Sequence, residues 1–433
     1  MQSSSWRAVA GFLIGFGSLA LPMLAPAQTA DDADPRLAFR RPAEIPVPAD
    51  NPYTPAKALL GERLFHDIRL SGDNSRSCAT CHIPAEAWQD GLKTGMGIHG
   101  DPLPRRTPSL ADAAFAKVQF WDGRAPTLEA QAFGPIENPN EMNMPRAGLV
   151  EKLRASRPLV AEFAKVFPDR PQITDETVAA ALATFERTLR SGESPFDRFV
   201  AGDDQAIGPA ARRGFDLFRG KANCMTCHSG WRLTDDGFHD IGLSPMKDRG
   251  RGEILDDTRL DFAMKTPSLR DVARLAPYMH DGRFATLDEV VRHYKQGIEP
   301  RATVSAELKS ITLDDAETAD LVAFLNSLTS DRPAQAAPAF STDKPPQRIA
   351  TTEIYQKGRR FAPEAVVFDK GRPLDLHNDD DRVHNIRVDD PRFHFNSGLQ
   401  KPGETVAIDF PLPGTFEVIC GIHPSMRLAV EIR

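Results

Sequence analysis

The strongest constraint on the fold is an internal repeat in which the same short sequences recur at the same spacing. T-P-S-L at 107–110 is followed, after eleven residues, by D-G-R at 122–124 and then by T-L at 127–128. The same series starts again at Thr266, and each copy is preceded by a C-x-x-C-H motif. Two copies are too few for a solenoid. The sequence therefore predicts two homologous units, at about 50–200 and 205–330.

The C-x-x-C-H motif is the attachment sequence of haem c. Two thiols one helical turn apart can form thioethers with the two vinyl groups, and the adjacent imidazole then reaches the iron. A redox dithiol or half a zinc site would use similar residues, but both copies end in His and lie inside a repeat. We therefore expect two covalent haem c groups, with attachment at Cys78, Cys81, Cys224 and Cys227 and proximal ligands His82 and His228.

Both units are expected to be mainly α-helical. Apolar residues three or four apart at 174–190 and at 312–328 each form one helix face. Thr174 and Thr312 stand at the starts of these segments as predicted N-caps. Such stripes predict ordinary core packing.

The composition is that of a folded protein with several domains. At 433 residues the chain has room for two or three of them. Its net charge of −7 gives no general basic surface, so we expect no nucleic-acid partner.

The N-terminus has the pattern of a secretory signal peptide. Arg7 precedes an apolar run from Ala8 to Leu24, and Ala25-Pro26-Ala27 supplies a small-residue cleavage site. A membrane anchor is the alternative, but Gly and Pro interrupt the run and no second apolar span follows. We therefore predict export to the periplasm, with no membrane span after cleavage.

A change of composition separates the repeat from the last part of the chain. Residues 331–348 are rich in Pro, Ala and polar residues, which is typical of an extended linker. Short β-branched runs then alternate with Gly, Pro and Asp, and this spacing predicts a small β-sandwich. The expected runs are 365–368, 383–388, 405–410, 415–420 and 428–432.

The last domain contains the fifth cysteine in a pattern that suits copper. Cys420, His423 and Met426 are spaced C-x-x-H-x-x-M after a predicted strand, and His384 lies upstream. One thiolate, two imidazoles and a weak axial thioether form the type 1, or blue, copper site used in electron transfer. A two-copper centre would need a second cysteine, which this domain lacks. The alternative is a purely structural β-domain whose cysteine binds no metal.

Residues 59–330 resemble the bacterial dihaem cytochrome c peroxidase and MauG superfamily, and the last domain resembles cupredoxins of the plastocyanin and amicyanin group. The matching segments of the haem part are 60–65, 120–124, 134–142 and 277–282. The resemblance implies two mainly α cytochrome c-type haem domains followed by an all-β cupredoxin Greek-key sandwich. We divide the chain into a signal peptide (1–27), an N-terminal haem domain that reacts with peroxide (28–200), a C-terminal haem domain (201–330), a linker (331–348) and a copper domain (349–433).

Three residues take catalytic roles through this resemblance. Trp121 matches the tryptophan that lies between the two haems and relays electrons. Gln131 and Glu141 match the pair over the N-terminal haem, where a carboxylate can move the proton during peroxide cleavage. Without the resemblance, Trp121 would be a core aromatic residue and Glu141 a solvated loop charge.

The resemblance also implies further ligands. His99 lies near a removable distal histidine of the peroxidases, and ligation or a plain surface position are both open. Tyr294 stands where the peroxidases place a methionine ligand of the second haem and MauG-type proteins place a tyrosine; His293 is a weaker candidate. Arg106 replaces an asparagine near the peroxidases' calcium ion, so calcium is doubtful here.

The leading functional hypothesis is a periplasmic peroxidase that reduces hydrogen peroxide to water with electrons from the fused copper domain. An external donor, such as a small cytochrome c, a cupredoxin or a donor enzyme, would reload the copper. The alternative is a MauG-like oxidase that uses high-valent haems to modify side chains of a partner protein, and a third option is an electron carrier without catalysis. The oligomeric state is open, with a homodimer among the options.

Overall fold

The two copies of the repeat fold into two helical halves. The structure is a computed structural model that describes residues 34–331, 339–342 and 346–433, so the predicted signal peptide at 1–27 lies outside the described residues. Among the described helices, none has the length and apolar character needed to cross a membrane. The first half contains helices α1 (Pro55–Phe65), α2 (Cys78–Cys81), α3 (Leu128–Glu137), α4 (Arg146–Arg154), α5 (Arg157–Val166), α6 (Asp175–Glu186) and α7 (Pro195–Val200).

The second half repeats the main helices of the first in the same order. It contains α8 (Pro209–Arg219), α9 (Arg251–Leu255), α10 (Leu287–Gln296) and α11 (Asp315–Ser327), together with a two-stranded sheet of β2 (Phe238–His239) and β3 (Met264–Lys265). Helix α8 corresponds to α1, α10 to α3 and α11 to α6. Each half has its own hydrophobic cluster, with Leu60 and Phe163 in the first and Phe218 and Phe324 in the second.

A glycine contact repeats in both halves and shows how closely the helices pack. A Cβ on Gly61 of α1 would overlap the Ala181 carbonyl oxygen of α6, and a Cβ on Gly214 of α8 would overlap the Asp320 carbonyl oxygen of α11. Only glycine lets these helix backbones approach so closely. The sequence repeat is therefore also a repeat of three-dimensional packing.

One of the two predicted helix caps is confirmed and the other is wrong. The Thr174 side chain accepts a hydrogen bond from the Thr177 backbone N–H at the start of α6. At α11 the cap is Asp314 rather than Thr312, because the Asp314 carboxylate accepts from the Glu317 N–H at 2.8 Å while the Glu317 carboxylate accepts from the Asp314 N–H. A carboxylate next to the first turn forms this reciprocal capping box.

Part of the segment predicted as linker is a strand. Strand β1 (Glu44–Val47) pairs in parallel with β4 (Ala339–Thr342). The Phe340 ring stacks on Tyr53 with 3.6 Å between ring centroids. Residues 339–342 are therefore anchored to the helical part.

The C-terminal region is β-rich and consists of two packed sheets. One sheet has the strand order β10-β9-β12-β13-β7 and the other has the order β11-β8-β5-β6. The five predicted runs all correspond to strands, while β5, β6, β8 and β10 were not predicted. The strands are β5 (Glu353–Gln356), β6 (Phe361–Ala362), β7 (Ala365–Phe368), β8 (Leu374–Asn378), β9 (His384–Asp390), β10 (Phe393–Gln400), β11 (Thr405–Ile408), β12 (Gly414–Cys420) and β13 (Arg427–Ile432).

The core of this region lies between the two sheets. Ile354 and Leu376 from one sheet and Ile386, Val418 and Val430 from the other have no exposed surface. Residue Leu260 of the second half belongs to the same hydrophobic cluster. The apolar core therefore continues from the β-rich region into the helical part.

Candidate functional site

The two C-x-x-C-H motifs face a single cavity. Its volume is about 1240 Å³, and both motifs contribute to its walls. Pockets that hold one drug-sized ligand measure roughly 300–1,000 Å³, so this space is suited to more than one large planar group. Its lining includes Cys78, Cys81, His82, Cys224, Cys227, His228, Trp121, Gln131, Glu141 and Tyr294, which are all predicted site residues.

The two proximal histidines are held in the same way. The Nδ1 of His82 lies 3.0 Å from the Trp88 carbonyl oxygen, and the Nδ1 of His228 lies 2.9 Å from the Leu233 carbonyl oxygen. Donation by Nδ1–H leaves Nε2 as the free ligand atom and fixes the ring. Burial lowers the pKa of both histidines, which favours the neutral form that binds metals. These residues therefore fit the binding of two haem groups.

Polar groups line the cavity beside the first motif. Gln131 lies on α3, and Glu141 lies in the loop that follows this helix. The Asn138 side-chain amide donates to the Glu141 carboxylate at 2.7 Å, and burial raises the pKa of Glu141 above its usual range. A carboxylic acid with a raised pKa is suited to giving and taking protons near neutral pH.

Trp121 connects the two halves. Its indole N–H donates to the Arg106 carbonyl oxygen at 3.1 Å, and its carbonyl oxygen accepts from the Lys265 N–H at 2.7 Å. The ring packs edge-on against His280, with 6.4 Å between centroids. His280 also lines the cavity and was not predicted as a site residue. Alignment of the two D-G-R sequences could have identified it, because His280 and Trp121 occupy equivalent positions.

Tyr294 and His293 point in different directions from helix α10. Tyr294 lines the cavity, and burial raises the pKa of its hydroxyl. His293 instead places Nε2 at 2.9 Å from the Ile241 carbonyl oxygen and does not line this cavity. Of these two residues, only Tyr294 is placed to approach a haem bound at His228.

The structure does not bring His99 into the site. His99 is exposed in a turn and is absent from the cavity lining. Arg106, in contrast, is buried between the halves, where its guanidinium donates to the Leu275 carbonyl at 2.6 Å, to the Pro277 carbonyl and to the Gln89 side chain at 2.9 Å. A cation at these oxygens would meet the positive charge of Arg106, which disfavours calcium there.

Sequence analysis also missed a buried carboxylate in the cavity wall. Glu186, at the end of α6, is 5% exposed and its Oε2 has no hydrogen-bond partner among the described residues. Burial raises the pKa of Glu186 to about 8. A glutamate at the end of a helix is usually solvated, so no sequence signal pointed to it.

The predicted copper ligands lie together at one end of the β-rich region. Strands β9 and β12 pair with Cys420 opposite Ile386, which places His384 beside the Cys420 loop. The Nδ1 atoms of His384 and His423 are 3.1 Å apart, and they lie 3.8 Å and 3.7 Å from the Cys420 Sγ. Three ligand atoms at these distances can surround one metal ion. Met426, in the same loop, is fully buried.

Local groups prepare these three side chains for a metal. The backbone N–H groups of Asn385 and His423 each approach the Cys420 Sγ at 3.4 Å, an arrangement that stabilises a thiolate. Burial lowers the pKa of His384 to about 4 and lowers that of His423 as well, which keeps both rings neutral. The Nε2 of His423 is buried without a hydrogen-bond partner among the described residues, and the Nε2 of His384 lies 3.5 Å from an Asp380 carboxylate oxygen. The donor set fits a copper ion of the type 1 kind.

The loop at 420–426 packs against the second helical half. The Phe238 N–H donates to the Ile422 carbonyl oxygen at 2.9 Å. Arg251 donates from Nε to the Gly421 carbonyl oxygen at 3.3 Å and from Nη1 to the Asp122 carbonyl oxygen at 3.1 Å. Residues Ala38–Arg433 accordingly form one compact unit.

A second group of contacts holds the β-rich region beside the second C-x-x-C-H motif. The Arg359 guanidinium donates to the Asp235 carboxylate at 2.9 Å and to the Ser229 hydroxyl at 3.0 Å. Asp235 is 1% exposed at its side chain. The two regions therefore meet through buried ionic contacts as well as backbone hydrogen bonds.

Family models match both helical halves. Residues 55–205 match the model described as di-haem cytochrome c peroxidase, and residues 211–329 match the model described as cytochrome c. These ranges correspond to the two copies of the repeat. They stop before the β-rich region.

Several known proteins are similar to this chain over two thirds or more of its length. A methylamine utilization protein MauG of Methylorubrum extorquens is 49% identical over 302 residues, which cover 69% of this chain and 86% of that protein. A cytochrome c551 peroxidase of Pseudomonas aeruginosa is 32% identical over 80% of this chain and 99% of that protein. The crystal structure of a MauG-like protein associated with microbial copper homeostasis is 34% identical, covers 68% of this chain and 94% of that chain, and has a TM-score of 0.62.

The geometry of the cavity and these similarities lead to the same assignment. Two cytochrome c-type domains, each with a C-x-x-C-H motif and a positioned histidine, are the haem c-binding part of the molecule. The chain is a cytochrome c peroxidase-like oxidoreductase, and it belongs to the MauG and dihaem cytochrome c peroxidase family.

Proposed function

We propose that the protein is a periplasmic peroxidase that reduces hydrogen peroxide to water, with electrons supplied through its own copper domain. The supporting observation is that the buried cluster of Cys420, His384 and His423 packs directly on the second haem domain. A one-electron metal site in this position suits repeated turnover with a renewable reductant. We also propose that residues 1–27 direct export of the chain.

The first haem domain is the proposed site of peroxide reduction. His82 would hold a haem there, whose iron would supply the redox chemistry that reduces peroxide. Glu141 moves a proton from one peroxide oxygen to the other, since its raised pKa favours both directions of transfer. Gln131 lies on the same side and orients the peroxide by hydrogen bonding. Pro135, one turn further along α3, offers no ligand atom and leaves room for peroxide.

The second haem domain is proposed to receive electrons from the copper domain and to share oxidising equivalents with the first. Tyr294 would hold this haem's iron as a phenolate, and its anionic oxygen would stabilise oxidised iron over Fe(II). Trp121, which is hydrogen-bonded to both halves, connects this domain to the first. The β-rich region is proposed to be a cupredoxin with His384, Cys420, His423 and Met426 as copper ligands.

A MauG-like oxidase is the second candidate, and Tyr294 is the observation that favours it. A tyrosine ligand suits storage of oxidising equivalents better than reduction by a donor. The relative with 49% identity carries the name methylamine utilization protein MauG. In this case the protein would oxidise side chains of a partner protein, and the copper domain would have another role.

Peroxide consumption at steady state tests the proposal. The holoprotein is mixed with peroxide and a reduced small cytochrome c or cupredoxin, and the Cys420→Ser variant is compared with Ser425→Ala, which changes an exposed residue of the same loop. We expect rapid turnover for the parent and for Ser425→Ala, and loss of both the blue colour and the turnover for Cys420→Ser. Slow donor oxidation by the parent, together with modification of a partner protein, would support the second candidate instead.

A further inference from the structure

His239 lies between the candidate copper cluster and the second C-x-x-C-H motif. On one side its ring is 6.5 Å from the His423 ring, measured between centroids. On the other side, a ring nitrogen of His239 lies within 4.8 Å of the Cys227 Sγ and of an Asp235 carboxylate oxygen. His239 is 4% exposed and His423 is 1% exposed, so water has little access to this contact.

The local fold holds His239 firmly. It ends strand β2, whose Phe238 ring is covered by the Arg251 guanidinium at 4.4 Å and would collide with a Cβ on Gly123. The His239 ring has partners at both nitrogens: Nε2 lies 3.0 Å from the Asp235 carboxylate and Nδ1 lies 3.2 Å from the Ser305 hydroxyl. The ring orientation is therefore fixed by hydrogen bonds and not only by packing.

The copper side of the contact is equally well defined. Phe238, which precedes His239, donates its backbone N–H to Ile422, which precedes His423, at 2.9 Å. Arg359 of the β-rich region donates to Asp235 at 2.9 Å, and Asp235 in turn accepts from His239. The two histidines are thus held in place by one backbone bond and one ionic chain across the same interface.

A metal site at Cys227, Asp235 and His239 is the competing interpretation of this cluster. Cys227 belongs to a haem-attachment motif, and a thioether sulfur is a weaker ligand than a thiolate. The Asp235 carboxylate is already engaged by the positive charge of Arg359. The cluster is therefore better suited to join two redox centres than to hold a third.

We propose that His239 is the electron-transfer contact between the copper ligand His423 and the haem-bearing Cys227. This inference rests on the proposed function, which it extends by assigning a route. The imidazole is a bridge that is neither oxidised nor reduced. Two electrons cross it for each peroxide, each changing one Cu(I) to Cu(II), and with two protons from solvent they convert one hydrogen peroxide to two water molecules. An external one-electron donor returns each Cu(II) to Cu(I).

Electron exchange inside the holoprotein tests this route without peroxide. A light-generated one-electron reductant adds one electron per molecule, and its redistribution between copper and haem is followed through the blue copper band and the haem bands. The test variant is His239→Phe, which keeps an aromatic ring but loses both nitrogens. The control is His377→Phe, because His377 lies on strand β8 in the other sheet and its ring binds Thr405 and Glu353.

We expect His239→Phe to slow the exchange about tenfold or more, equivalent to about 1.4 kcal/mol in the barrier. His377→Phe should leave the rate unchanged. Copper EPR and haem spectra of His239→Phe should match the parent, which shows that the metal sites are intact. A rate for His239→Phe within about twofold of the parent, with intact sites, would overturn the role of His239 and leave the Phe238–Ile422 backbone bond as the route.

A second pair of variants tests the docked arrangement. Arg359→Leu removes the ionic chain to Asp235, and Arg360→Leu changes its exposed neighbour. We expect slower exchange for Arg359→Leu and parental exchange for Arg360→Leu, and equal rates for the two would count against the chain through Asp235. If copper and haem exchange electrons rapidly in the parent but added peroxide does not oxidise the copper, the proposed function is contradicted and the route through His239 is not. Absence of exchange in the parent would contradict the route itself.

Discussion

The two haem domains share a scaffold and differ in the residues that face their haem groups. Alignment of Thr127 with Thr286, which cap helices α3 and α10, pairs Gln131 with Val290 and Pro135 with Tyr294. These four aligned residues all line the cavity. The first domain therefore has the amide of Gln131 where the second has the apolar Val290. It has Pro135, which offers no ligand atom, where the second has the phenol of Tyr294.

The same comparison extends to the helices behind the cavity. Alignment of the glycine contacts at Gly61 and Gly214 pairs Glu186 of α6 with Leu325 of α11. The first domain thus has a buried carboxyl group where the second has a hydrocarbon side chain. We propose that one scaffold supports proton transfer in one copy and metal ligation in the other, through a few side chains that differ on the same helix faces.

Glu141→Gln should have the largest effect on the chemistry that distinguishes the first haem domain from the second. The amide keeps the shape of the carboxyl group but cannot transfer the proton, so the reaction with peroxide should slow roughly 10²–10⁴-fold. Stopped-flow absorbance of the haem bands measures the rate, and both resting haem spectra should be unchanged. Glu137→Gln is the matched control, since Glu137 is exposed and paired with Arg146. Equal rates for Glu141→Gln and the parent would remove the assigned role.

Glu186→Gln should change how stability depends on pH. The pKa of Glu186 is raised to about 8 in the folded protein, so the folded state keeps a proton that the unfolded state loses above its usual pKa of 4.5. The parent therefore loses stability as pH rises from about 4.5 to about 8, with a slope of about 1.4 kcal/mol per pH unit from this group. Glu186→Gln should lack this pH-dependent loss. Its free energy of unfolding relative to the parent, measured by denaturant unfolding, should therefore be higher at pH 8 than in acid.

Glu129 provides a control, because its pKa is shifted in the opposite direction. Burial raises the pKa of Glu129, but hydrogen bonds and charge from Arg187 outweigh burial and hold the pKa below its usual value. Glu129→Gln should therefore lose stability at neutral pH and lose little in acid. If the stabilities of Glu186→Gln and Glu129→Gln, each relative to the parent, changed in the same direction with pH, the contrast between these carboxyl groups would be wrong.

Tyr294→Met should have a smaller effect, on the reduction potential of the second haem. A neutral thioether favours Fe(II) more than a phenolate does, so the potential should rise by about 0.1 V or more within the roughly 0.8 V range that axial ligands set. Spectroelectrochemical titration measures it. Tyr278→Phe is the control, because the buried Tyr278 hydroxyl donates to the Val272 carbonyl at 3.2 Å. An unmoved potential would show that another residue ligates this iron.

Sequence patterns predicted the parts of the molecule whose chemistry depends on close spacing. Haem attachment needs two thiols and an imidazole within five residues, and the Cys420 loop supplies three of the four proposed copper ligands within seven. The repeat predicted two similar halves, and the equivalent glycine contacts at Gly61 and Gly214 bear out the similarity.

Residues whose surroundings come from distant segments could not be predicted. Glu186 is unusual only because α6 turns it into the cavity, and His239 is unusual only because the β-rich region covers it. Thr312 satisfied a capping pattern, but Asp314 lies closer to the first turn and forms the stronger cap. Strand β5 was missed because a polar residue, Gln356, takes one of its buried positions and Tyr355 takes an exposed one, which breaks the apolar–polar alternation expected of a β-sandwich strand.

The burial of the proposed copper ligands has a consequence for maturation of the protein. His384 has no exposed surface and His423 is only 1% exposed, in part because the Ile422 loop rests on Phe238. We expect an incoming ion to reach these nitrogens while that loop is lifted from the helical part. Metallation would then precede final closure, and the rate at which a chelator strips the ion would report how often the assembled protein reopens.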